Sequence, residues 1–334
     1  MRVMRFLPVL LAAAALFGAG PAAAEKVVLR MGTNDHFSDP PKTGGQVAFQ
    51  WLQKTVAERT NGEVEIKIYP GAQLGAEKDT VKMLKTGGID ITPDSPGNLA
   101  ALVPEIGLFS ASYLFANFEH YEKAVSDERF FKRLQQIVRE RNLGYQLVGI
   151  GATGSRNVYN RVRPVSKPGE LKGMKMRVMA SPIEFKVWST LGMLPTTIAS
   201  TEIYSALQSG VVDASESSVP YIVGNKYYEV APYITMTNHQ ISGHIYLIGD
   251  KALAKVPEKH RAALLQALYE TGPRQIRATA EISERMLKDL RAKPKVQVST
   301  VDPSAYITQL RPIQDEVARN LGVEDLLKII REHQ

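Results

Sequence analysis

The chain of 334 residues contains no cysteine. Without thiols it cannot form disulfides, Cys-ligated zinc sites, iron–sulfur clusters or a cysteine nucleophile. Its six histidines are scattered along the sequence, which argues against a His-rich metal site, and we expect no cofactor. Hydrophobic residues make up 44% of the chain, a share that is typical of a globular protein and excludes wholesale disorder.

The common catalytic motifs are also missing. The sequence has no G-x-S-x-G elbow, no H-E-x-x-H pair and no P-loop. A G-x-G-x-x-G run does occur at 149–154, directly after a predicted strand at 145–150. A dinucleotide site needs a helix to start there, but the chain continues as an extended segment that ends at Pro164. We therefore interpret 149–154 as a Gly-rich crossing between two domains, and the sequence favours binding over turnover.

No run of basic residues stands out, although the formal net charge is +7. Lysine and arginine alternate with acidic residues, whereas a nucleic-acid-binding protein more often has a clustered basic stripe. We therefore expect no nucleic-acid partner. The small positive excess is compatible with an anionic small molecule but does not identify one.

The first 24 residues have the pattern of a signal peptide. Arg2 and Arg5 precede an apolar run at 6–17, which is too short to span a bilayer of roughly 30 Å as a helix. Three alanines at 22–24 supply the small residues of a cleavage site. Cleavage before Glu25 leaves 334 − 24 = 310 residues with a net charge of 7 − 2 = +5. We predict an exported, periplasmic protein; an uncleaved membrane anchor is the alternative.

The remaining chain alternates short β-rich runs with amphipathic stretches, which is typical of α/β proteins. The strongest predicted strands are at 27–31, 64–69, 89–92, 145–150, 174–178, 211–214 and 245–248. The clearest helices are at 46–60, 77–85, 120–141 and, after Thr201 as N-cap, up to Gly210. A long helical stretch after Pro257 should kink or break at Gly272-Pro273. There is no flexible linker, so the two α/β halves are expected to share strands and helices across a hinge.

Two arginines are the most informative polar residues. Arg156 lies at the Gly-rich crossing, and Arg177 lies in the predicted strand at 174–178. At a strand end, Arg177 would project into the crevice where α/β sheets bind ligands. A guanidinium group matches a carboxylate bidentately, which lysine cannot do. From the residues alone, however, two ordinary surface arginines remain the alternative. The acidic residues Asp213 and Glu216 are equally compatible with a turn-stabilising aspartate and a structural glutamate.

At these arginines the sequence resembles the solute-binding proteins of tripartite ATP-independent periplasmic (TRAP) transporters. The matching segments keep the family's order and spacing through nearly the whole mature chain. They are 31–34, 61–64, 69–70, 73–75, 171–178, 202–208, 212–216, 228–230 and 237–239. Each segment is weak by itself, and together they are highly specific.

The resemblance implies a two-lobed periplasmic-binding-protein clamshell. Each lobe would have a central β-sheet flanked by helices, with chain crossovers at a hinge. We expect one lobe to comprise 25–153 plus about 245–282, and the other to comprise 154–244 plus about 283–334.

The resemblance also implies which residues contact the ligand. The family's arginine in the strand corresponds to Arg177, and a second arginine, after a glycine at the crossing, corresponds to Arg156. The full implied set is Arg177, Arg156, Ser217, Asn34, Glu216, Asp94, Ser200 and Asn238. Ser217 replaces the family's usual asparagine. Sialic-acid-binding members have a phenylalanine where this chain has Ser200 and an arginine where it has Pro96-Gly97, so a different organic acid is expected.

The implied function is capture of an organic acid anion and its delivery to the TRAP membrane permease, by a protein that is monomeric by default. Four-carbon dicarboxylates, sugar acids and aromatic or keto acids all remain open as ligands. A subunit that presents a ligand to a membrane receptor is the alternative, and an exported enzyme acting on an organic acid is a third.

Overall fold

The computed structural model describes residues 26–334, apart from the side chain of Lys78. The predicted signal peptide lies outside the described residues. Nine strands are present in this part of the chain: β1 (Val27–Gly32), β2 (Val64–Tyr69), β3 (Ile91–Asp94), β4 (Tyr145–Asn160), β5 (Lys175–Val178), β6 (Leu194–Thr197), β7 (Ala214–Ser218), β8 (Tyr233–Gly249) and β9 (Gln297–Thr300).

Helices flank these strands. They are α1 (Gly44–Arg59), α2 (Glu77–Thr86), α3 (Pro96–Leu99), α4 (Phe118–Ser126), α5 (Glu128–Glu140), α6 (Pro182–Thr190), α7 (Ile203–Ser209), α8 (Val219–Gly224), α9 (Asp250–Lys255), α10 (Glu258–Arg291), α11 (Ser304–Leu321) and α12 (Glu324–Glu332). Short 3₁₀ turns cover Pro104–Ser110, Pro168–Leu171, Ser200–Glu202 and Tyr227–Glu229. In residues 26–334, no helix combines the length and apolar character that a membrane crossing requires.

All nine strands form one sheet in the order β2-β1-β3-β8-β4-β7-β5-β6, with β9 paired to β8. The three strands at one end and the three at the other are joined by the long antiparallel pair of β4 and β8. Strand β3 pairs with the last part of β8, which in turn pairs with the first part of β4. The last part of β4 pairs with β7, and the first part of β8 pairs with β9. The sheet therefore has two ends that share only these two strands.

The Gly-rich run at 149–154 lies inside β4 and remains extended. The predicted strand at 145–150 is thus the first part of a strand of 16 residues. The register between β4 and β8 shifts at Leu147/Gly149, Ala152/Gly154 and Arg156/Val158. No helix starts after the glycines, and the run lies in a strand that both ends of the sheet share.

Helix α10 was predicted to kink or break at Gly272-Pro273; it does not break there and continues for 34 residues. Proline removes one helical hydrogen bond, but the helix is pressed against β4 at this point. A Cβ built on Gly272 would lie 2.2 Å from the carbonyl oxygen of Ile150. Packing along the length of the helix therefore outweighs the local preference of proline to end it.

Three other boundaries differ from the predictions. The predicted helix at 120–141 is two helices, since Asp127 ends α4 and its side chain caps α5. Thr201 is not an N-cap; it lies in a 3₁₀ turn, and α7 starts at Ile203. Strand β7 runs from Ala214 to Ser218 instead of 211–214, which places Glu216 within the sheet.

The apolar cores follow the two ends of the sheet but also connect them. One cluster packs β1 and α1 against α10, and another packs α7, α8 and the end of α10 around Tyr159. The largest cluster contains residues from α2 to α12 and spans both ends. Helix α12 contacts α4 and α5, while α11 contacts α6. The C-terminal helices therefore contact both halves of the sheet.

Candidate ligand-binding site

The site lies where the carboxyl ends of strands from the two halves of the sheet face each other. Strands β1 and β3 are parallel in one half, and β5 and β7 are parallel in the other. On β8, Asp94 pairs with Ile245, and Arg156 on β4 pairs with Gln240. Five residues of strand separate these positions, or roughly 17 Å of backbone at about 3.4 Å per residue. Side chains from both ends can therefore surround a molecule with a chain of a few carbon atoms.

Arg156 forms a buried bidentate ion pair with Glu216. Its Nε and Nη2 donate to the two carboxylate oxygens of Glu216, Nη2 also donates to the Glu216 carbonyl at 3.0 Å, and Nη1 donates to Ser242 Oγ at 3.2 Å. Arg156 is 7% exposed and Glu216 is 1% exposed. Burial alone would raise the pKa of Glu216, but Arg156 and His239 hold it well below its usual range. Most of the guanidinium donors of Arg156 are thus already occupied.

This pairing places Glu216 beside an arginine that was expected to bind the ligand carboxylate. The physical reason is register, because β4 and β7 pair Val158 with Glu216 and place the carboxylate beside Arg156. Glu216 was predicted as a ligand contact, and among the described residues its carboxylate pairs with Arg156. These contacts are those of a structural glutamate, which was the alternative that the sequence left open.

His239 completes this group. Its Nδ1 lies 2.9 Å from Thr237 Oγ1, its Nε2 lies 3.5 Å from Glu216 Oε2, and its ring packs edge-on against Trp188. Burial lowers the pKa of His239, although the neighbouring Glu216 carboxylate opposes that shift. The imidazole is therefore a buried neighbour of the ion pair.

Arg177 has the less occupied guanidinium group. Its Nε donates to the carbonyl oxygen of Ile198 at 2.9 Å, and in the described part of the chain its two terminal nitrogens have no hydrogen-bond partner. Arg177 is only 5% exposed. Alternation along β5 and β7 places Arg177 on the sheet face opposite Glu216. The charge of Arg177 also acts on the buried carboxyl group of Glu184.

Glu184 is a site residue that the sequence predictions missed. It lies in the first turn of α6 and is 2% exposed. Burial and the charge of Glu216 raise the pKa of Glu184 to about 7, while Arg156 and Arg177 oppose the shift. The signal available in the sequence is Ser181-x-x-Glu184, a pattern typical of a helix N-terminus. That pattern gives no indication that the carboxylate faces a site.

Acidic residues also line the opposite half. Asp94 is 1% exposed at the end of β3 and accepts a hydrogen bond from the Ser95 backbone at 2.7 Å. Glu77 accepts from Ser95 Oγ at 3.1 Å and from Asn98 Nδ2 at 2.8 Å. Burial and the nearby charge of Glu77 raise the pKa of Asp94 well above its usual range. Asp94 therefore lies in an acidic cluster with Glu77, which the sequence predictions did not include.

A hydrogen bond joins the two halves near Asn34. Tyr221 of α8 donates its hydroxyl to Asp35 Oδ1, and Asp35 is 2% exposed. Burial raises the pKa of Asp35, while His244 and Tyr221 oppose the shift. Asn34 itself is half-buried and directly precedes Asp35. The predicted contact at Asn34 therefore lies beside a buried link between the halves.

The remaining predicted site residues differ in their exposure to solvent. Ser217 is 8% exposed and pairs with Asn157 between β7 and β4. Ser200 is exposed, and its carbonyl oxygen accepts a hydrogen bond from the Tyr227 hydroxyl at 3.4 Å. Asn238 is exposed in an irregular part of β8, where its side chain accepts from Ser155 Oγ at 3.0 Å. Ser200 and Asn238 are thus at exposed positions, while Ser217 is near the strand ends.

Residues 36–320 match the family described as bacterial extracellular solute-binding protein, family 7. The chain belongs to this family. A curated relative of this solute-binding protein, from Verminephrobacter eiseniae and also named a solute-binding protein, is 28% identical over 283 residues. That alignment covers 85% of this chain and 84% of the relative.

Two solved structures support the same assignment. A TRAP periplasmic solute-binding protein from a Sulfitobacter species, with bound α-D-taluronate, has 28% identity and a TM-score of 0.84, covering 91% of this chain and 97% of that one. Another, from Sulfurospirillum deleyianum with bound succinate, has 25% identity and a TM-score of 0.83, covering 92% and 99%. The predicted family and the two-lobed α/β fold class are therefore confirmed for this solute-binding protein.

Proposed function

We propose that this protein captures an organic acid through its carboxylate and delivers the acid to a TRAP membrane permease. The observation that carries the proposal is Arg177, a buried guanidinium whose two terminal nitrogens have no hydrogen-bond partner within residues 26–334. Those two nitrogens match the two oxygens of a carboxylate. Arg156 has a supporting role, because its pairing with Glu216 fixes the strand ends around the ligand.

Closure of two lobes around the ligand would complete the site. We assign the first lobe to 25–153 plus about 245–282 and the second to 154–244 plus about 283–334. The proposed hinge runs through β4 and β8, which are the strands shared by both ends of the sheet. Closing excludes water, and a lower local dielectric strengthens the pairing of Arg177 with the ligand. The closed form would present the permease with a surface that the open form lacks.

Export and assembly are also part of the proposal. We assign cleavage before Glu25, action in the periplasm as a monomer, and release of the ligand chemically unchanged. The solved relatives named above are periplasmic by their descriptions and hold an organic acid. The remaining predicted contacts would surround the ligand beyond its carboxylate; they are Asn34, Asp94, Ser200, Glu216, Ser217 and Asn238.

Thermal unfolding with a panel of organic acids tests the anchor. The exported protein would be unfolded and refolded first to remove any bound ligand. A ligand at 100 times its Kd stabilises the folded state by about 2.7 kcal/mol, which raises Tm by about 5 °C. Arg177→Ala removes one member of a buried charge pair, a loss of about 2–5 kcal/mol, so Kd should rise about 30-fold to several thousand-fold.

The matched control is Arg139→Ala, because Arg139 is an exposed arginine on α5. Its Kd should equal that of the wild type. If Arg177→Ala binds the same acid within threefold of the wild type, the anchor is assigned wrongly. If no carboxylate raises Tm in the wild type, the proposal of an organic acid ligand fails.

A further inference from the structure

The carboxyl group of Glu184 has one oxygen with a partner and one without. Oε2 accepts a hydrogen bond from the Met179 backbone at 3.2 Å. Oε1 is buried, and no other group among the described residues hydrogen-bonds to it. A buried polar atom without a partner is costly, and the cost is larger for a charged group. Oε1 therefore needs a hydrogen-bond donor that the described residues do not supply.

Local backbone contacts hold the Glu184 side chain in place. Ser181 caps α6 by accepting from the Glu184 backbone at 3.4 Å. In the common capping box the glutamate returns to the backbone of the cap residue. Here Ser181 N donates to the Met179 carbonyl at 2.8 Å, so Glu184 reaches Met179 N instead. The position of Oε1 is thus fixed by the chain before any ligand arrives.

Oε1 lies at the junction between the two halves of the sheet. A Cβ built on Gly97 of α3 would be 3.2 Å from it. Ser95, just before α3, also approaches the sulfur of Met179 at 4.0 Å. On its own side of the junction, Glu184 lies near enough for the charges of Arg156 and Arg177 to act on its carboxyl group. The free oxygen therefore shares the site with the proposed carboxylate anchor.

A ligand hydroxyl is the donor that fits this oxygen. Arg156 and Arg177 oppose the effect of Glu216 on this carboxyl group, so a neutral hydroxyl is sufficient as the donor. An unsubstituted alkyl chain would leave Oε1 without a donor. A site built to hydrogen-bond a hydroxyl discriminates strongly against the analogue that lacks it.

We infer that Glu184 determines ligand specificity by accepting a hydrogen bond from a hydroxyl group of the bound acid. The protein then prefers hydroxylated organic acids to acids of the same chain length without hydroxyls. This inference rests on the proposed function, because it takes Arg177 as the carboxylate anchor.

Isothermal titration with six-carbon probes tests the inference. The probes are hexanoate, 6-aminohexanoate, and the hydroxylated acids gluconate, galactonate, glucuronate and galacturonate. In the refolded wild type, at least one hydroxylated acid should bind at least tenfold more tightly than hexanoate. Tightest binding of 6-aminohexanoate would overturn the inference in favour of a ligand ammonium group. Equal binding of hexanoate and every hydroxylated acid would overturn it as well.

Glu184→Gln provides the decisive variant. Met179 N–H requires an acceptor, so the amide oxygen takes that contact and the NH₂ group replaces the free oxygen. The ratio of the affinity for the preferred hydroxylated acid to the affinity for hexanoate should fall about 10- to 100-fold. Glu281→Gln, at an exposed position on α10, is the matched control and should alter neither.

A second variant covers the case in which Glu184→Gln does not fold. Gly97→Ala keeps Glu184 and adds a methyl group 3.2 Å from Oε1, so it should also reduce the preference for the hydroxylated acid. If the folded variant keeps the full preference, the role of Glu184 is refuted while the proposed function stands. If Arg177→Ala has no effect on any probe, the proposed function fails instead.

Discussion

Removing one member of the Arg156–Glu216 pair is expected to destabilise the protein strongly. The two side chains are 7% and 1% exposed and share a bidentate contact, so either single variant leaves a buried charge without its partner. Such losses amount to about 3–5 kcal/mol. Arg156→Ala and Glu216→Ala should each lower the free energy of unfolding by about that amount. Replacing the pair with Arg156→Met and Glu216→Leu together should cost less than either single change, because apolar residues of similar volume need no partner.

The loss of stability in Arg156→Ala should be larger at neutral pH than in acid. Burial alone would raise the pKa of Glu216, yet Arg156 and His239 hold it below the ordinary value of 4.5. A carboxyl group whose pKa is lowered by folding adds stability above its unfolded pKa, and this stability is lost as the pH falls below it. Arg156→Ala removes that contribution and allows Glu216 to take up a proton. The difference between wild type and variant should therefore be largest at pH 7 and should shrink towards pH 4.

Urea unfolding of the ligand-free protein, followed by circular dichroism, measures these free energies. Arg139→Ala is the control for loss of an exposed arginine and should stay within about 0.5 kcal/mol of the wild type. The reasoning is refuted if both single variants lie within about 1 kcal/mol of the wild type. It is also refuted if the double variant loses the sum of the two single losses, since that would mean the residues act independently.

Two further changes test the buried carboxyl group and the helix contact. Burial and Glu216 raise the pKa of Glu184 to about 7 from an unfolded value near 4.5, so wild-type stability should fall between those pH values. The stability of Glu184→Gln relative to the wild type should therefore improve from pH 5 to pH 8 in thermal unfolding, with no such trend for Glu281→Gln. Gly272→Ala would place a methyl group 2.2 Å from the Ile150 carbonyl oxygen, whereas Gly169 has nothing within 4 Å. Gly272→Ala should lower Tm by several degrees, Gly169→Ala should not, and equal Tm values would refute the close packing.

The sequence by itself determined the class of fold. Hydrophobic periodicity located β1 and β2 and the body of α1, because local alternation and helical spacing depend on nearby residues alone. The extended segment after residues 149–154 excluded a dinucleotide site, and the structure shows that run within a strand. Arg177 was selected as the anchor from its residue type, its place at a strand end and the family resemblance, and this role stays a prediction. These conclusions needed no knowledge of distant contacts.

Only the tertiary structure decided which charged residues pair with each other. Glu216 follows Arg156 by 60 positions, and their pairing depends on the register between β4 and β7. The continuity of α10 through Pro273 likewise comes from its packing against β4. Glu184 reads as an ordinary helix-capping residue until the fold places its free oxygen beside Gly97 of the other half. Local sequence cannot specify such contacts, because their energies arise between groups that only the folded chain brings together.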